Sequence, residues 1–309
     1  MSETLFYLNR RAGSGRAAEV WRRLVAARPE LASARCIDAH DPQAGAAALE
    51  SHLSSAEPPA GAGRRVIAIG GDGTLHWVIQ RLLAQSPGSR PAVGIVPAGT
   101  GSDFARHLGL PKGPEAALHR ALSAAPRPID VIAAETLGED GAVTGCRYVF
   151  NVASLGLSGM VAERVNAMGD RGAFPFVRAT VHGILRYRSR RCRIRIDGED
   201  SYEGGLFLLA VANAPYFGKA MHIAPGAQID DGLLDVVLIE PLSRAESLLR
   251  LPQIFFGAHV SSKKVRCLRA RTVEVEPLEA MPSLELDGEL WDPPPLRFRV
   301  LPQAAAFLY

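Results

Sequence analysis

Apolar residues fall in two rhythms along this chain. In the first 130 residues, short unbroken runs alternate with stretches where apolar positions recur every three or four residues. Leu5-Phe6-Tyr7-Leu8 reads as a buried strand, and Val20, Leu24 and Val25 behind it share one face of a helix. A short strand at 34–37 and a helix around 44–53 follow, then a Pro/Ala/Gly linker over 58–63. Val66-Ile67-Ala68-Ile69 is the next buried strand, and Leu75, Val78, Ile79 and Leu82 keep helical spacing after it. Residues 91–97 repeat the strand, and a further helix starts at Phe104. Strands alternating with helices predict a parallel sheet covered on both faces, with its ligand crevice at the C-terminal ends of the strands.

From about Arg127–Asp130 the rhythm changes. Residues 129–134, 148–153, 192–196, 205–212, 233–239 and 272–275 are strand-like with turn residues between them, and only 161–168 and 174–187 look helical. That pattern predicts a largely antiparallel assembly. The expected fold class is therefore α/β: a Rossmann-like domain over residues 1–130, then a mostly antiparallel β-sandwich domain over 131–290. Strand-like pieces at 296–301 and 304–308 make a return of 291–309 to the first domain an option.

Composition mainly excludes. A net charge of +3, with no stretch where Lys and Arg alternate with stacking aromatics, argues against nucleic acid as a partner. The four cysteines (36, 146, 192, 267) form no CxxC pair, so neither a zinc site nor a disulfide framework is indicated. Met1-Ser2-Glu3-Thr4 carries an acid where a signal peptide has basic residues, and no apolar run approaches the ~18 residues of a spanning helix. The expectation is a reduced, cytoplasmic protein that visits, at most, the inner membrane surface.

The chemistry concentrates in three glycine-bearing turns that follow the strands: Asn9 to Arg16, Gly70-Gly71-Asp72-Gly73-Thr74, and Ala98 to Asp103. Glycines admit a close backbone approach, and the start of a helix offers N–H groups and positive potential to phosphate. Asp72 would repel a phosphate unless a cation or a proton donor intervenes, which suggests Mg²⁺-nucleotide chemistry. Thr74 and Thr100 can donate hydroxyls to phosphate, and Asp72 and Asp103 can hold Mg²⁺ directly or through water. Asp103 has an equal claim to a plainer role, because Ser102-Asp103 is also a good helix N-cap.

Gly70-Gly71-Asp72-Gly73-Thr74 followed by Pro97-Ala98-Gly99-Thr100-Gly101-Ser102-Asp103-Phe104-Ala105-Arg106 resembles the catalytic domain of the diacylglycerol kinase and sphingosine kinase superfamily, in particular its bacterial soluble lipid kinases. Arg127-Pro128-Ile129-Asp130, Phe150-Asn151-Val152-Ala153, Asn213-Ala214-Pro215, Asp230-Asp231-Gly232-Leu233 and Asp287-Gly288-Glu289 continue the family order over nearly the whole chain. The resemblance implies an NAD kinase/diacylglycerol kinase-like first domain and transfer of the ATP γ-phosphate to a lipid hydroxyl. It implies ATP binding by Asn9, Gly70, Gly71, Asp72, Gly73, Thr74, Leu75, His76, Thr100 and Asp103. Glu289 would be the general base, with Asp72 a rival for that role. A structural Mg²⁺ would take Asp231 through its side chain, with Gln228 and Leu233 contributing oxygen ligands. The lipid at the membrane surface is the implied partner, and a homodimer is left open.

Several residues depart from the family pattern. Arg10 stands where proline is usual, Ser102 where asparagine is common, and His40 lies where a threonine often contacts nucleotide. Arg186 to Arg195 could meet anionic headgroups; the plainer reading is a core helix followed by a strand with arginines on its solvent face. Two rivals accompany the lipid-kinase reading: an NAD kinase, whose Asn-x-Gly-x-Leu-Gly-Phe element is not found, and a non-catalytic nucleotide-binding regulator.

Overall fold

The run Leu5–Leu8 lies within β1 (Thr4–Asn9), and the alternation that follows it is regular: α1 (Arg16–Ala27), β2 (Cys36–Ala39), α2 (Pro42–Ser55), β3 (Arg65–Gly70), α3 (Asp72–Leu83), β4 (Ala92–Pro97), a short α4 (Asp103–His107) and α5 (Pro114–Ser123). The computed structural model describes residues 3–40, 42–55, 63–99, 102–168, 173–291 and 296–309. These divide into one unit of Met1–Ile129 with Gln303–Tyr309 and a second of Asp130–Pro302. In the first, the strands are parallel in the order β2-β1-β3-β4, with Leu8 opposite Ile69 and Ile69 opposite Val96. The pleat divides each apolar run between two faces. Phe6, Leu8, Ile67, Ile69 and Val96 pack with Leu24 of α1 and Leu118 of α5. The intervening Leu5, Tyr7, Val66 and Ala68 are equally buried, because α2 and α3 cover the sheet from the other side. Burial on both faces is why these strands show no polar alternation.

The second unit starts within β5 (Pro126–Leu137) and continues through β6 (Val143–Val149), β7 (Val152–Gly156), α6 (Leu157–Met168), α7 (Ala173–Arg186), β8 (Arg190–Ile196), β9 (Glu199–Leu206) and β10 (Leu208–Ala212). Two short strands, β11 (Tyr216–Phe217) and β12 (Met221–His222), precede β13 (Leu234–Ile239) and α8 (Arg244–Arg250). The chain then forms β14 (Val265–Ala270), β15 (Thr272–Pro277), β16 (Leu284–Leu286), β17 (Glu289–Trp291) and β18 (Leu296–Leu308). One antiparallel sheet runs β14-β13-β10-β7-β16-β17, and the first part of β18 pairs antiparallel with β15, which pairs with β8 and then β9. Side chains from both sheets share one core, including Leu209, Val211, Leu234, Val236, Ile194, Val273 and Phe298. The opposite pleat of β10 and β13 (Leu208, Ala210, Val237, Ile239) packs with Phe217, Met221 and Ile223 instead. This is the predicted sandwich, covered on one outer side. Beyond residue 302, the tail of β18 belongs to the first unit: Phe307 lies opposite Val93 of β4 in parallel register and its ring meets Phe104 at 5.1 Å.

Two strands anticipated as continuous are interrupted. The 148–153 run breaks at Phe150-Asn151 between β6 and β7, and 205–212 breaks at Phe207, whose N–H donates to Ile239 O while its O accepts from Leu157 N–H. Both interruptions come from partners distant in sequence. Among the described residues no helix is long and apolar enough to cross a membrane.

Candidate functional site

In the first unit the three glycine turns are tied together at the C-terminal ends of β1, β3 and β4. Asn9, the last residue of β1, donates through Nδ2 to Thr74 Oγ1 at 3.1 Å. Gly70 lies so close to Thr74 that a Cβ on it would come within 2.2 Å of that same Oγ1. Gly13, with φ of 61°, backs onto the third turn, and a Cβ there would stand 2.2 Å from Ala98 O. Ala98 N–H donates to Gly70 O at 2.7 Å, and Asp103 N–H donates to Asp72 Oδ2 at 2.8 Å. The structure thus brings Asn9, Gly70, Asp72, Thr74 and Asp103 together. Thr100 lies outside the described residues.

Helix α3 begins three residues before the apolar spacing suggests, at Asp72. Its N-cap Gly71 is extended, and none of Gly70, Gly71 or Gly73 has positive φ. These glycines therefore permit close approach rather than left-handed backbone. The first N–H groups of α3, from Asp72, Gly73 and Thr74, have no carbonyl a turn back to bond to, as at any helix start. Leu75 N–H donates back to Gly71 O at 3.1 Å. The Leu75 side chain is fully buried beneath the turn, and His76 is buried beside Gln80. Ser102 makes no side-chain cap on α4; the Asp72 carboxylate does that work from another turn. The Asp72 carboxylate is thereby held by a backbone donor. Arg10 is engaged as well, donating through Nε to Asp38 at 2.7 Å and holding that carboxyl below its ordinary range, while His40 is exposed.

In the second unit the chemistry centres on the hairpin between β16 and β17. Asp287 (φ 51°) and Gly288 (φ 90°) are the two left-handed residues that a tight two-residue turn requires. The Asp287 carboxylate is buried and accepts three consecutive backbone N–H groups: Phe150 at 3.2 Å, Asn151 at 3.0 Å and Val152 at 3.2 Å. Those are the donors left over where β6 breaks from β7. Buried Glu285 accepts Gly288 N–H at 2.7 Å and the Ser154 hydroxyl. The turn is therefore fixed by two carboxylates, and half-buried Glu289 emerges opposite Leu286 from a rigid base. Fully buried Asn213 donates to the carbonyls of Asp130 and Phe150, both at 2.9 Å, bracing the same region. The bracing by Glu285 and Asn213 was not foreseen from sequence; only their polarity inside apolar surroundings hints at it.

The loop at 228–233 is tied to the junction residue Asp130, whose Oδ2 accepts Gly232 N–H at 2.6 Å and whose N–H donates to Ile229 O at 2.6 Å. Asp231 accepts Leu233 N–H at 3.0 Å and pairs with Arg269; Gln228 is exposed. Arg269 also lies 4.0 Å from Asp235, whose buried Oδ2 has no hydrogen-bond partner and whose carboxyl is pushed up to about 6 by burial. Among the described residues no three His, Cys, Asp or Glu side chains gather as a metal cluster. Within the Arg186–Arg195 run, the strand part follows the plainer reading. Arg191, Arg193 and Arg195 lie on β8 and pair across the sheet with Glu203, Glu276 and Asp200.

Comparison with known proteins agrees with this architecture. Residues 3–134 match the diacylglycerol kinase catalytic domain, and residues 151–309 match the YegS C-terminal NAD kinase beta sandwich-like domain. The chain is 36% identical over 233 residues to the "Probable lipid kinase YegS-like" of Chromohalobacter salexigens, covering 73% of this chain and 69% of that one. It is 32% identical over 275 residues to the diacylglycerol kinase of Mycobacterium tuberculosis, covering 88% and 82%. A diacylglycerol kinase structure from Bacillus anthracis superposes with a TM-score of 0.69 at 19% identity, over 100% of this chain and 97% of that one. Yeast NADH kinase does so with 0.53 at 13%, over 99% and 82%; these two likenesses concern the fold alone. On its two domain matches and its sequence relatives, the chain belongs to the diacylglycerol kinase family of bacterial lipid kinases.

Proposed function

We propose that this kinase transfers the γ-phosphate of ATP to the hydroxyl of a diacylglycerol-like lipid, with residues 1–130 binding nucleotide and 131–290 serving lipid and metal. The observation that carries the reading is the knitting of the glycine turns around Asp72: the start of α3, the Thr74 hydroxyl and an anchored carboxylate converge where β1, β3 and β4 end. Phosphoryl transfer asks a protein chiefly for positioning and charge stabilisation. Asn9, Gly70, Gly71, Gly73 and Thr74 would cradle the phosphates, with Leu75 and His76 holding the turn from below and Asp103 at its rim; Thr100 would add the hydroxyl that the family resemblance assigns to it. Glu289 accepts the proton of the lipid hydroxyl as its oxygen bonds to the γ-phosphorus and ADP leaves. Such help is worth roughly 10²–10⁴-fold. Asp72 is the less suitable base because one of its oxygens already accepts Asp103 N–H.

The donors around 228–235 suit Mg²⁺, a hard cation that takes one or two carboxylates and keeps several waters. The buried Oδ2 of Asp235, which has no hydrogen-bond partner and shares Arg269 with Asp231, is the observation in favour. Asp231, with the Gln228 and Leu233 oxygens, would hold the structural ion. Mg²⁺ at the nucleotide would supply charge neutralisation of the phosphates, with Asp72 disposed toward it.

A labelled-ATP assay against a panel of hydroxylated lipids, with NAD as a further acceptor, tests the reading. Label is expected in diacylglycerol or a related lipid, and Glu289→Gln should abolish transfer while ATP still binds. Label in NAD alone refutes the acceptor class, and full turnover by Glu289→Gln refutes the base.

A further inference from the structure

We propose that α8 and the 3-10 turn that follows it, Leu251–Phe256, form a wedge that enters the surface of an anionic lipid bilayer. The proposal rests on the lipid-kinase reading, because a lipid hydroxyl must be met where lipids lie. Its argument starts from exposure. Phe256 is 82% exposed and Leu249 78%, and Phe255 and Leu248 stand at 40% and 38%. Single exposed apolar residues are ordinary, but four within nine residues form a patch.

The segment carrying them is firmly held. Helix α8 opens with a capping box, in which Glu246 N–H donates to Ser243 Oγ at 3.2 Å and Ser243 N–H to Glu246 Oε2 at 2.9 Å. Leu251 packs against the α6–α7 cluster of Leu157, Val161 and Tyr187, and Ile254 against Phe217 and Ile223. Immediately after Phe256, Gly257 turns the chain back at φ 70°, so close to Pro225 that a Cβ would stand 2.7 Å from its Cγ. His259 then re-enters the core and Nε2 meets Ile223 O at 3.0 Å. Phe255 and Phe256 are thus displayed between two anchors on a rigid turn. Little ordering entropy is left to lose on docking.

Charge identifies the occupant. Residues 241–264 hold Arg244, Arg250, Lys263 and Lys264 against Glu246 alone, so 4 − 1 gives +3, as much as the net charge of the entire chain. Glu246 is taken by Lys264 at 3.1 Å, and among the described residues no carboxylate pairs with Arg244, Arg250 or Lys263. Helix α7 packs on α8 and adds exposed Val177 and Leu185, with Arg186 at its end. Apolar side chains on a segment rich in cations without carboxylate partners complement hydrocarbon beneath negative headgroups. A second copy complements it poorly, since each copy brings like charge, and four side chains fall short of the ~800 Å² per partner of a standard interface.

The test uses the full chain with phosphatidylcholine vesicles, with and without phosphatidylglycerol. Phe256→Ser should weaken sedimentation with the anionic vesicles roughly tenfold or more. Arg250→Gln with Lys263→Gln should weaken it about 20-fold at low salt and far less at high salt. Phe256→Trp should bind as well as the parent, with an emission blue shift on the anionic vesicles. All variants should retain transfer to detergent-dispersed diacylglycerol. Unaltered vesicle binding by Phe256→Ser, or an unshifted tryptophan, overturns the wedge while leaving the kinase reading intact. Vesicle binding lost in Phe256→Ser with no lipid phosphorylated by the parent chain defeats the kinase reading instead. A concentration-dependent dimer abolished by Phe256→Ser would reassign the surface to self-association and overturn the proposal.

Discussion

Replacing Asp287 with asparagine removes one acceptor while keeping the size of the side chain and its tolerance for left-handed backbone. In the parent, Oδ1 receives the N–H groups of Asn151 and Val152, and Oδ2 that of Phe150. The amide can keep the first pair at best. Its NH₂ then confronts Phe150 N–H, leaving a buried donor unpaired at about 1–3 kcal/mol, and the two surviving bonds lose their charge assistance, roughly 0.5–1 kcal/mol each. The expected total is about 2–5 kcal/mol, enough to lower the melting of the second unit by roughly 4–20 °C. Asp287→Ala should cost more, since it loses all three acceptances and puts a less tolerant residue at φ 51°. Because Glu289 emerges from the same hairpin, turnover by Asp287→Asn should fall more than about tenfold. KM for ATP should stay near that of the parent. Calorimetry with steady-state kinetics reads both quantities. An unchanged melting temperature with unchanged kcat would refute the clamp.

Glu135 offers a test by pH. Burial alone would raise its carboxyl, but hydrogen bonds from Arg299 at 2.8 Å and Arg297 at 2.7 Å prevail and hold it below the ordinary range. A depressed acid stabilises the fold above its unfolded value near ~4.3, and that stabilisation fades as pH falls through the folded value. Glu135→Gln should therefore be less stable at pH 7 by about 1–3 kcal/mol, discounted for the half-exposed arginines, and draw level with the parent in acid. Urea midpoints over an acid-to-neutral series check this; a pH-independent gap would reject it. Asp231→Ala should remove the thermal stabilisation that Mg²⁺ confers, a few degrees at an ion concentration about tenfold above Kd. Equal Mg²⁺ responses in parent and variant would remove Asp231 from the ion.

Legibility from sequence followed the range of the interactions. The sheet of the first unit was evident because strands covered on both faces print unbroken apolar runs such as Val66–Ile69. The sandwich was evident in class but not in detail. Strand ends at Phe150 and Phe207 depend on Asp287 and Ile239, far along the chain, and no local pattern marks them. The short strands β16 and β17 escaped because three residues carry no period. Helix α8 has a clear capping box in Ser243 and Glu246, yet its apolar residues point outward, so no buried stripe announces it. At the candidate site, the polar identities of Asp72, Asp287 and Glu289 were visible. That Asp72 caps a second helix, and that Glu285 and Asn213 brace the hairpin, depends on partners far along the chain that no local pattern marks.

The strand β18 leaves the second unit at residue 302 and finishes the first at 303–309, so the first unit is completed last during synthesis. A ribosome extends this chain through the whole sandwich while the outer edge of β4 still waits for its neighbour. Phe104 meanwhile has no Phe307 ring to meet, and Arg90 has no Ala304 carbonyl to receive its guanidinium. An open parallel edge on a nascent chain is an invitation to mispairing. Order of manufacture, not only final packing, thus puts a premium on rapid closure of the sandwich, the step that delivers the missing strand.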